Sequence, residues 1–379
     1  MQQFHRRDVT LANWRQGPFN RWSFNNVREL IGTAAIACAP ASTPLSRNAS
    51  QGLSRIDGLD AWLDGTWTDA FLVLRNGAIA YDWYRTEEAA SAPHVVFSVS
   101  KSITALLAGI AVGSGKLDPN LPVGAYVPVK DGTAYGTCSV RNVLDMTVSV
   151  SFVENYDNPD ETFLAYREAS GWNPVRDARS TEGLHEFLLR LQLGERPHGA
   201  RFHYVSPNSD LLGWIVEVAT GTRLAQYAGE KLFEPMGAAG PAYITVDRYG
   251  AARTAGGFCV TIQDLARIGD LVRLGGRIGD RQVVPKSWIE DLFAGGDRTQ
   301  WEKGDMALFL PQGRYRSQWY AVGNGRDSIL AVGIHGQWIY VDPPSGVVIA
   351  KQSSQPMPVD EAIDRKTIEM FSAIAEALE

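Results

Sequence analysis

Two residues of the sequence stand at a spacing that supports nucleophilic chemistry. Phe97-Ser98-Val99-Ser100-Lys101 opens an apolar segment of helical period. Residues three apart share a helix face, so Ser98 Oγ and Lys101 Nζ can meet. Serine is a poor nucleophile until a base removes its proton. A lysine can be that base when burial and nearby cations lower its pKa. A helix start also carries free N–H groups, which favour negative charge. Taken alone, the pattern is more often a helix cap and a solvated lysine. Lys101, however, sits among apolar and small residues up to Gly113. A lysine there needs a polar partner or a chemical task.

Two further segments carry matching chemistry. Tyr204-Val205-Ser206 precedes Pro207-Asn208-Ser209-Asp210 and a helix expected from about residue 211. A phenol beside a lysine ammonium can shift toward phenolate and act as general base or acid. By itself, Tyr204 reads as a core tyrosine with a satisfied hydroxyl. Gly333-Ile334-His335-Gly336-Gln337 falls on or between late strands. Glycine there lets a substrate approach the backbone. An edge strand can give an N–H to an oxyanion. His335 is a candidate base by type, and equally a structural histidine.

The elements that must position these residues follow from periodicity and turn chemistry. Residues 70–74 and 78–84 read as strands joined by Asn76-Gly77, a strong hairpin signal. A long helix follows Phe97, with Ile103, Leu106, Leu107 and Ile110 on one stripe. The middle of the chain is mostly helical, clearest over 181–191, 210–219, 222–232 and 262–274. Gly, Pro, Asn and Asp between 149 and 179 mark a loop region of the kind that lines sites. Strands return over 317–322, 328–334, 338–341 and 347–352, and a closing helix over 359–378 presents Ile363, Ile368, Phe371 and Ile374 to a sheet. Residues 1–65 give no clear pattern. Early and late strands with helices between predict an α+β fold. One antiparallel sheet is expected to be flanked by helices, beside an all-helical lobe. The expected division is 1–115 with 300–379 as the sheet domain and 116–299 as the helical domain, with the site in the cleft between them.

Order and spacing make the three segments more specific together than apart. S-x-x-K early, Y-x-S about a hundred residues later and a glycine-bearing late strand resemble the penicillin-recognising serine hydrolases. These include class C β-lactamases, D-alanyl-D-alanine carboxypeptidases and family VIII esterases. Thr254-Ala255-Gly256-Gly257-Phe258-Cys259-Val260-Thr261 with Asp264-Leu265-Ala266 is also similar to that group. Within it, the chain most resembles the 6-aminohexanoate-dimer (nylon-oligomer) hydrolases. The matching pieces are residues 97–101, 202–214, 333–337 and Asn25-Asn26-Val27-Arg28-Glu29-Leu30. The resemblance runs from about residue 19 to the end.

It implies a β-lactamase/transpeptidase-like fold and an acyl-enzyme mechanism without cofactor or metal. Ser98 would be nucleophile, Lys101 its base partner and Tyr204 the general acid/base. The Ser98 and Ile334 backbone N–H groups would hold the oxyanion. Tyr156 resembles a tyrosine that closes over the substrate amide, and Trp172 a tryptophan on the same mobile loop. Ser206, Gly333 and His335 would complete the substrate contacts. Two departures matter. Ile334-His335-Gly336 replaces the late Lys-Thr-Gly of β-lactamases, so the lysine for a β-lactam carboxylate is missing. Arg167 stands where an acidic residue would hold a substrate ammonium, and Val359-Asp360 near the C-terminal part of the site. A cation there disfavours a protonated amine. Short esters are thus the expected substrates, with linear amides second. The competing readings are a β-lactamase or D-Ala-D-Ala peptidase, and a catalytically silent binding protein of the same fold.

Composition excludes several other classes. Charged residues make up 21% of the 379, net charge is −6, and no basic run appears, which argues against nucleic acid. No apolar run reaches the roughly 18 residues of a spanning helix. The apolar run over 33–41 lies behind a charged segment, unlike an ordinary signal peptide. Three widely spaced cysteines form no CxxC, and six scattered histidines give no metal spacing. A cytoplasmic enzyme of small molecules is expected, and a homodimer is compatible with the reading. The sequence has no G-x-S-x-G elbow, H-E-x-x-H, Walker A loop or dinucleotide fingerprint.

Overall fold

The computed structural model describes residues 4–40, 44–49, 53, 56 and 58–379. In chain order its strands are β1 (Thr33–Ile36), β2 (Thr68–Arg75), β3 (Ala78–Tyr84), β4 (His94–Val95), β5 (Ala242–Thr245), β6 (Phe258–Val260), β7 (Arg277–Ile278), β8 (Arg281–Gln282), β9 (Arg314–Arg316), β10 (Trp319–Ala321), β11 (Ile329–Gly333), β12 (Gln337–Asp342) and β13 (Val347–Ser353). Five helices matter for the site: α1 (Val99–Gly113), α2 (Glu161–Ala169), α3 (Ser206–Thr220), α4 (Ile262–Arg273) and α5 (Glu361–Leu378).

The main sheet has seven strands in the order β3-β2-β13-β12-β11-β10-β9, with antiparallel neighbours. Early and late strands therefore meet between β2 and β13, as the sequence pattern predicts. Asn76 and Gly77 both take positive φ, 50° and 82°, in the β2–β3 turn. That is the left-handed geometry Asn-Gly supplies most easily. Both faces of the sheet are covered. Phe71 and Val73 join Phe371 and Ile374 of α5 in one core. Leu72 and Leu74 join Leu265 and Ile268 of α4, with Ile103 and Leu106 of α1, in the other. The period of two along a strand sends alternate residues to these two layers.

Two features differ from the expectation. Helix α4, read as part of the helical region 116–299, packs on β13, β12 and β2. A second, four-stranded sheet, β1-β5-β6-β4, was not foreseen. Its strands have two to four residues, too few to show a period of two. The apolar run at 33–41 supplies β1, and its last residue, Ala41, lies outside the described residues. Helix α3 begins at Ser206, one turn earlier than expected, because Pro207 suits the first turn of a helix.

Candidate active site

Ser98 stands at the N-cap position of α1, its side chain making no capping bond, and is 8% exposed. The residue before it, Phe97, has φ +42°, a conformation that costs energy in a bulky residue. Its ring is locked among Trp14, Phe24, Trp172 and His335, with centroids 4.9–6.2 Å apart. This aromatic packing holds the bend that turns Ser98 into the cleft.

Lys101, one turn on, is 2% exposed. Its Nζ lies 2.7 Å from Ser98 Oγ and 2.7 Å from the Ala255 carbonyl. Burial lowers its pKa to about 8; Arg253 adds to this, while Glu154 and Asp210 oppose it. A neutral fraction able to accept the Ser98 proton therefore exists near neutral pH.

Tyr204 lies on the loop two residues before α3, hydrogen-bonded to Ser98, and Lys101 Nζ stands 5.1 Å from its ring centroid. The expected shift toward phenolate is overturned. Burial, then Tyr320, Tyr156 and Glu154, raises Tyr204 well above the ordinary tyrosine value. That direction favours the protonated phenol and leaves Lys101 as the candidate base.

Lys101 as base predicts a pH dependence. A group with a depressed pKa loses its proton at lower pH than usual, and the base works only after that loss. With an amide substrate, kcat/KM is expected to rise about tenfold per pH unit below about 8 and to level off above it. A profile flat from pH 6 to 9 would contradict Lys101 as base. His335 cannot supply such a limb, because burial lowers its pKa to about 4.

Gly333 ends β11, an inner strand of the sheet rather than the expected edge strand, and brings that strand end against Ser98. A Cβ there would sit 2.5 Å from the Val96 carbonyl oxygen and 3.1 Å from Ser98 N. Only glycine permits that approach. Gly333→Ala is expected to lower stability by about 1–3 kcal/mol through overpacking. It should lower kcat on p-nitrophenyl butyrate about a hundredfold by displacing an oxyanion amide. Steady-state kinetics check this, and an unchanged kcat would contradict it.

The other expected contacts divide. Tyr156 and Ile334 line the space at Ser98, and Tyr156 donates from its hydroxyl to Glu154. Ser206 lies there too, but its hydroxyl and N–H both donate to Glu154, at 2.7 and 2.6 Å. Trp172 lines the smaller space at Ser98: it is 5% exposed, its Nε1 donates to Thr245 at 3.0 Å, and Gly256 leaves room for its ring. His335 lines neither cavity at Ser98. It is 3% exposed between Phe24 and Phe97, and its Nδ1 pairs with the Gln355 carbonyl at 2.7 Å. Asp360 caps α5 through the N–H groups of Ala362 and Ile363, and Val359 lines the cleft.

Beneath the site lies a buried network that sequence reasoning missed. Asp210 on α3 pairs with Arg253 and accepts from Tyr166 OH at 2.6 Å and Ala255 N at 2.7 Å. Ala255 in turn presents its carbonyl to Lys101. Burial alone would depress Arg253, but Asp210 and Tyr166 outweigh it and hold it above its ordinary value. Glu154 and Arg15 at the site were also missed. The only sequence signals were Glu154 two residues from Tyr156, and an arginine beside Trp14.

Two cavities meet at Ser98. One is a groove of about 600 Å³ lined by Tyr204, Met306, Phe309, Tyr320, Val332 and Val359, with Asp305, Glu361 and Asp364 also on its wall. The other, about 30 Å³, is lined by Arg15, Arg167, Arg253, Phe97, Phe163 and Trp172. Among the described residues, no group of three or more His, Cys, Asp or Glu could hold a metal ion, and no helix is long and apolar enough to cross a membrane.

Comparison with known proteins fits this geometry. The β-lactamase family model matches residues 59–370. The chain belongs to the β-lactamase family. It is an enzyme of that family's serine hydrolases, with its α+β fold. It is 36% identical over 353 residues to the 6-aminohexanoate-dimer hydrolase of Paenarthrobacter ureafaciens, covering 93% of this chain and 89% of the relative. A Bacillus anthracis structure assigned to the 6-aminohexanoate-dimer hydrolases superposes with TM-score 0.88 at 25% identity, covering 100% of this chain and 99% of the other. A family VIII carboxylesterase shares the fold, with TM-score 0.63 at 15% identity over 89% of this chain and 100% of its own.

Proposed function

We propose that the enzyme hydrolyses short-chain carboxylic esters, and linear amides more slowly, through an acyl-enzyme on Ser98. One observation carries the reading: a lysine with a depressed pKa lies 2.7 Å from the hydroxyl of a serine at a helix start, beside a protonated tyrosine. Neutral Lys101 takes the Ser98 proton as Oγ bonds to the carbonyl carbon. The Ser98 and Ile334 N–H groups receive the oxyanion. The bond to the leaving group then breaks, Tyr204 gives that group its proton, and Lys101 reprotonates Tyr204. Water then gives a proton to Lys101 as its oxygen bonds to the acyl carbon, the bond from that carbon to Ser98 Oγ breaks, and Lys101 returns the proton to Ser98 as the acid leaves. We place the cleft between the seven-stranded sheet region, built from 1–115 and 300–379 and joined by α4, and the helical part of 116–299.

Three substrate classes separate the alternatives. 6-Aminohexanoate dimer carries its ammonium on the acyl half, and Arg167 beside Ser98 disfavours it. β-Lactams lose the late lysine that would bind their carboxylate. In a panel of p-nitrophenyl butyrate, 6-aminohexanoate dimer and nitrocefin, the ester is expected to turn over fastest and nitrocefin slowest. A fluorophosphonate probe should label the peptide bearing Ser98. No labelling, with no ester turnover, would leave a silent binding protein of this fold. We also place the enzyme in the cytoplasm. Supporting this, Cys38, Cys138 and Cys259 are free thiols, two of them buried, as suits a reducing compartment.

A further inference from the structure

The two cavities at Ser98 differ in what they can hold. Both are lined by Ser98, Glu154, Tyr156 and Ile334, but Tyr204 lines only the large groove. The leaving group must lie beside its proton donor. The groove therefore takes the leaving group, and the small pocket takes the substituent on the acyl side.

That small pocket is cationic. Arg253 is matched by Asp210. Glu154 is the pocket's carboxylate, and it accepts from Ser206 and Tyr156. Arg15 donates to neutral acceptors, the Trp172 carbonyl at 3.0 Å and the Asn173 side chain at 2.5 Å. The Arg167 guanidinium lies over the Phe163 ring, 4.2 Å from its centroid, and 5.7 Å from that of Tyr156. Among the described residues neither Arg15 nor Arg167 has a carboxylate at ion-pair distance. One positive charge is left over. Arg253, 5% exposed, also has a buried Nε–H with no partner. Phe97, Tyr156, Phe163 and Trp172 also line the pocket, and aromatic walls lower the local dielectric and strengthen a charge interaction inside. Burial, then the charges of Arg167 and Arg253, weakens Arg15's hold on its proton, a tension that a bound anion would relieve. The volume of about 30 Å³ exceeds the roughly 10–15 Å³ a water needs, enough for a carboxylate-sized group.

We infer that this pocket binds a carboxylate at the far end of the acyl group, so the enzyme selects esters and amides of short dicarboxylic acids acylated at one end. The inference rests on Ser98 as nucleophile and Tyr204 as donor to the leaving group. It makes Arg15 and Arg167 specificity residues.

The p-nitroanilides of succinic, butyric and 4-aminobutyric acid share one leaving group and one acyl length. They differ only in end charge. The kcat/KM should fall in that order, with succinyl above butyryl by about ten- to hundredfold, the size of a charge-assisted hydrogen bond. Arg167→Gln, and separately Arg15→Gln, should lower succinyl turnover more than butyryl, collapsing their ratio toward one. Equal rates for the three, a preference for aminobutyryl, or a ratio unmoved by both variants would overturn the inference. Should the anilides prove too slow, free succinate is expected to compete with p-nitrophenyl butyrate. Butyrate inhibiting as well as succinate would count against the pocket. Loss of p-nitrophenyl butyrate hydrolysis itself would instead sink the serine-hydrolase assignment of Ser98, so the two failures are distinguishable.

Discussion

Ser98→Ala is expected to lower kcat on p-nitrophenyl butyrate by at least about 10⁴-fold, as loss of a nucleophile does in other serine hydrolases. The substitution removes one oxygen from a site in which Lys101, Tyr204 and the oxyanion amides remain. What survives is binding and oxyanion stabilisation alone, so KM should change little. Lys101→Met tests the same unit from its other side. Without the amine, the Ser98 proton has no nearby base, because Tyr204 is held in its protonated form. Its loss should approach that of Ser98→Ala, and the double variant should be scarcely worse than either single one. Groups that act together in one step are not additive. Burst kinetics and steady-state rates on the three variants check this. Additive losses would show that Lys101 acts outside the step Ser98 performs.

Asp210→Ala should produce the largest change in stability, about 3–5 kcal/mol, the usual cost of removing one partner from a buried ion pair. The Asp210 side chain is fully buried and the Arg253 side chain 6% exposed. Alanine would strand the Arg253 charge, the Tyr166 hydroxyl and the Ala255 N–H together. The midpoint of urea unfolding should fall accordingly. Activity should fall with it, since the Ala255 carbonyl that anchors Lys101 depends on Asp210 for its place. Asp210→Asn keeps an acceptor for Ala255 N but loses the charge. It should recover part of the activity while remaining clearly destabilised. A loss below about 1 kcal/mol in Asp210→Ala would show that the network relaxes around the gap.

The same network shows where reading the sequence succeeds and where it stops. Ser98 and Lys101 are one turn apart on a single helix, and their meeting is a property of helical geometry. Tyr204 was placed just before a helix by the proline that marks the helix start, and its proposed role came from the resemblance. The hairpin at Asn76-Gly77, the late strands and the closing helix were legible because turn chemistry and a period of two or 3.6 are local. His335 was not. A residue in a short turn between strands has no periodicity to say which way it points. Its burial between Phe24 and Phe97 comes from an aromatic cluster drawn from distant parts of the chain.

By itself, then, the sequence determined the α+β architecture and the shared helix face of Ser98 and Lys101. Each of these depends on spacing within a single element or on the order of elements. Only the tertiary structure decided the protonation and the polarity of the site. The depressed pKa of Lys101 comes from burial, with Arg253 contributing from 152 residues away. The phenol of Tyr204 stays protonated for the same reason. The cationic pocket gathers Arg15, Arg167 and Arg253 from three separate segments. Desolvation and Coulomb energy depend on distance in space, and no local pattern in the chain records that distance.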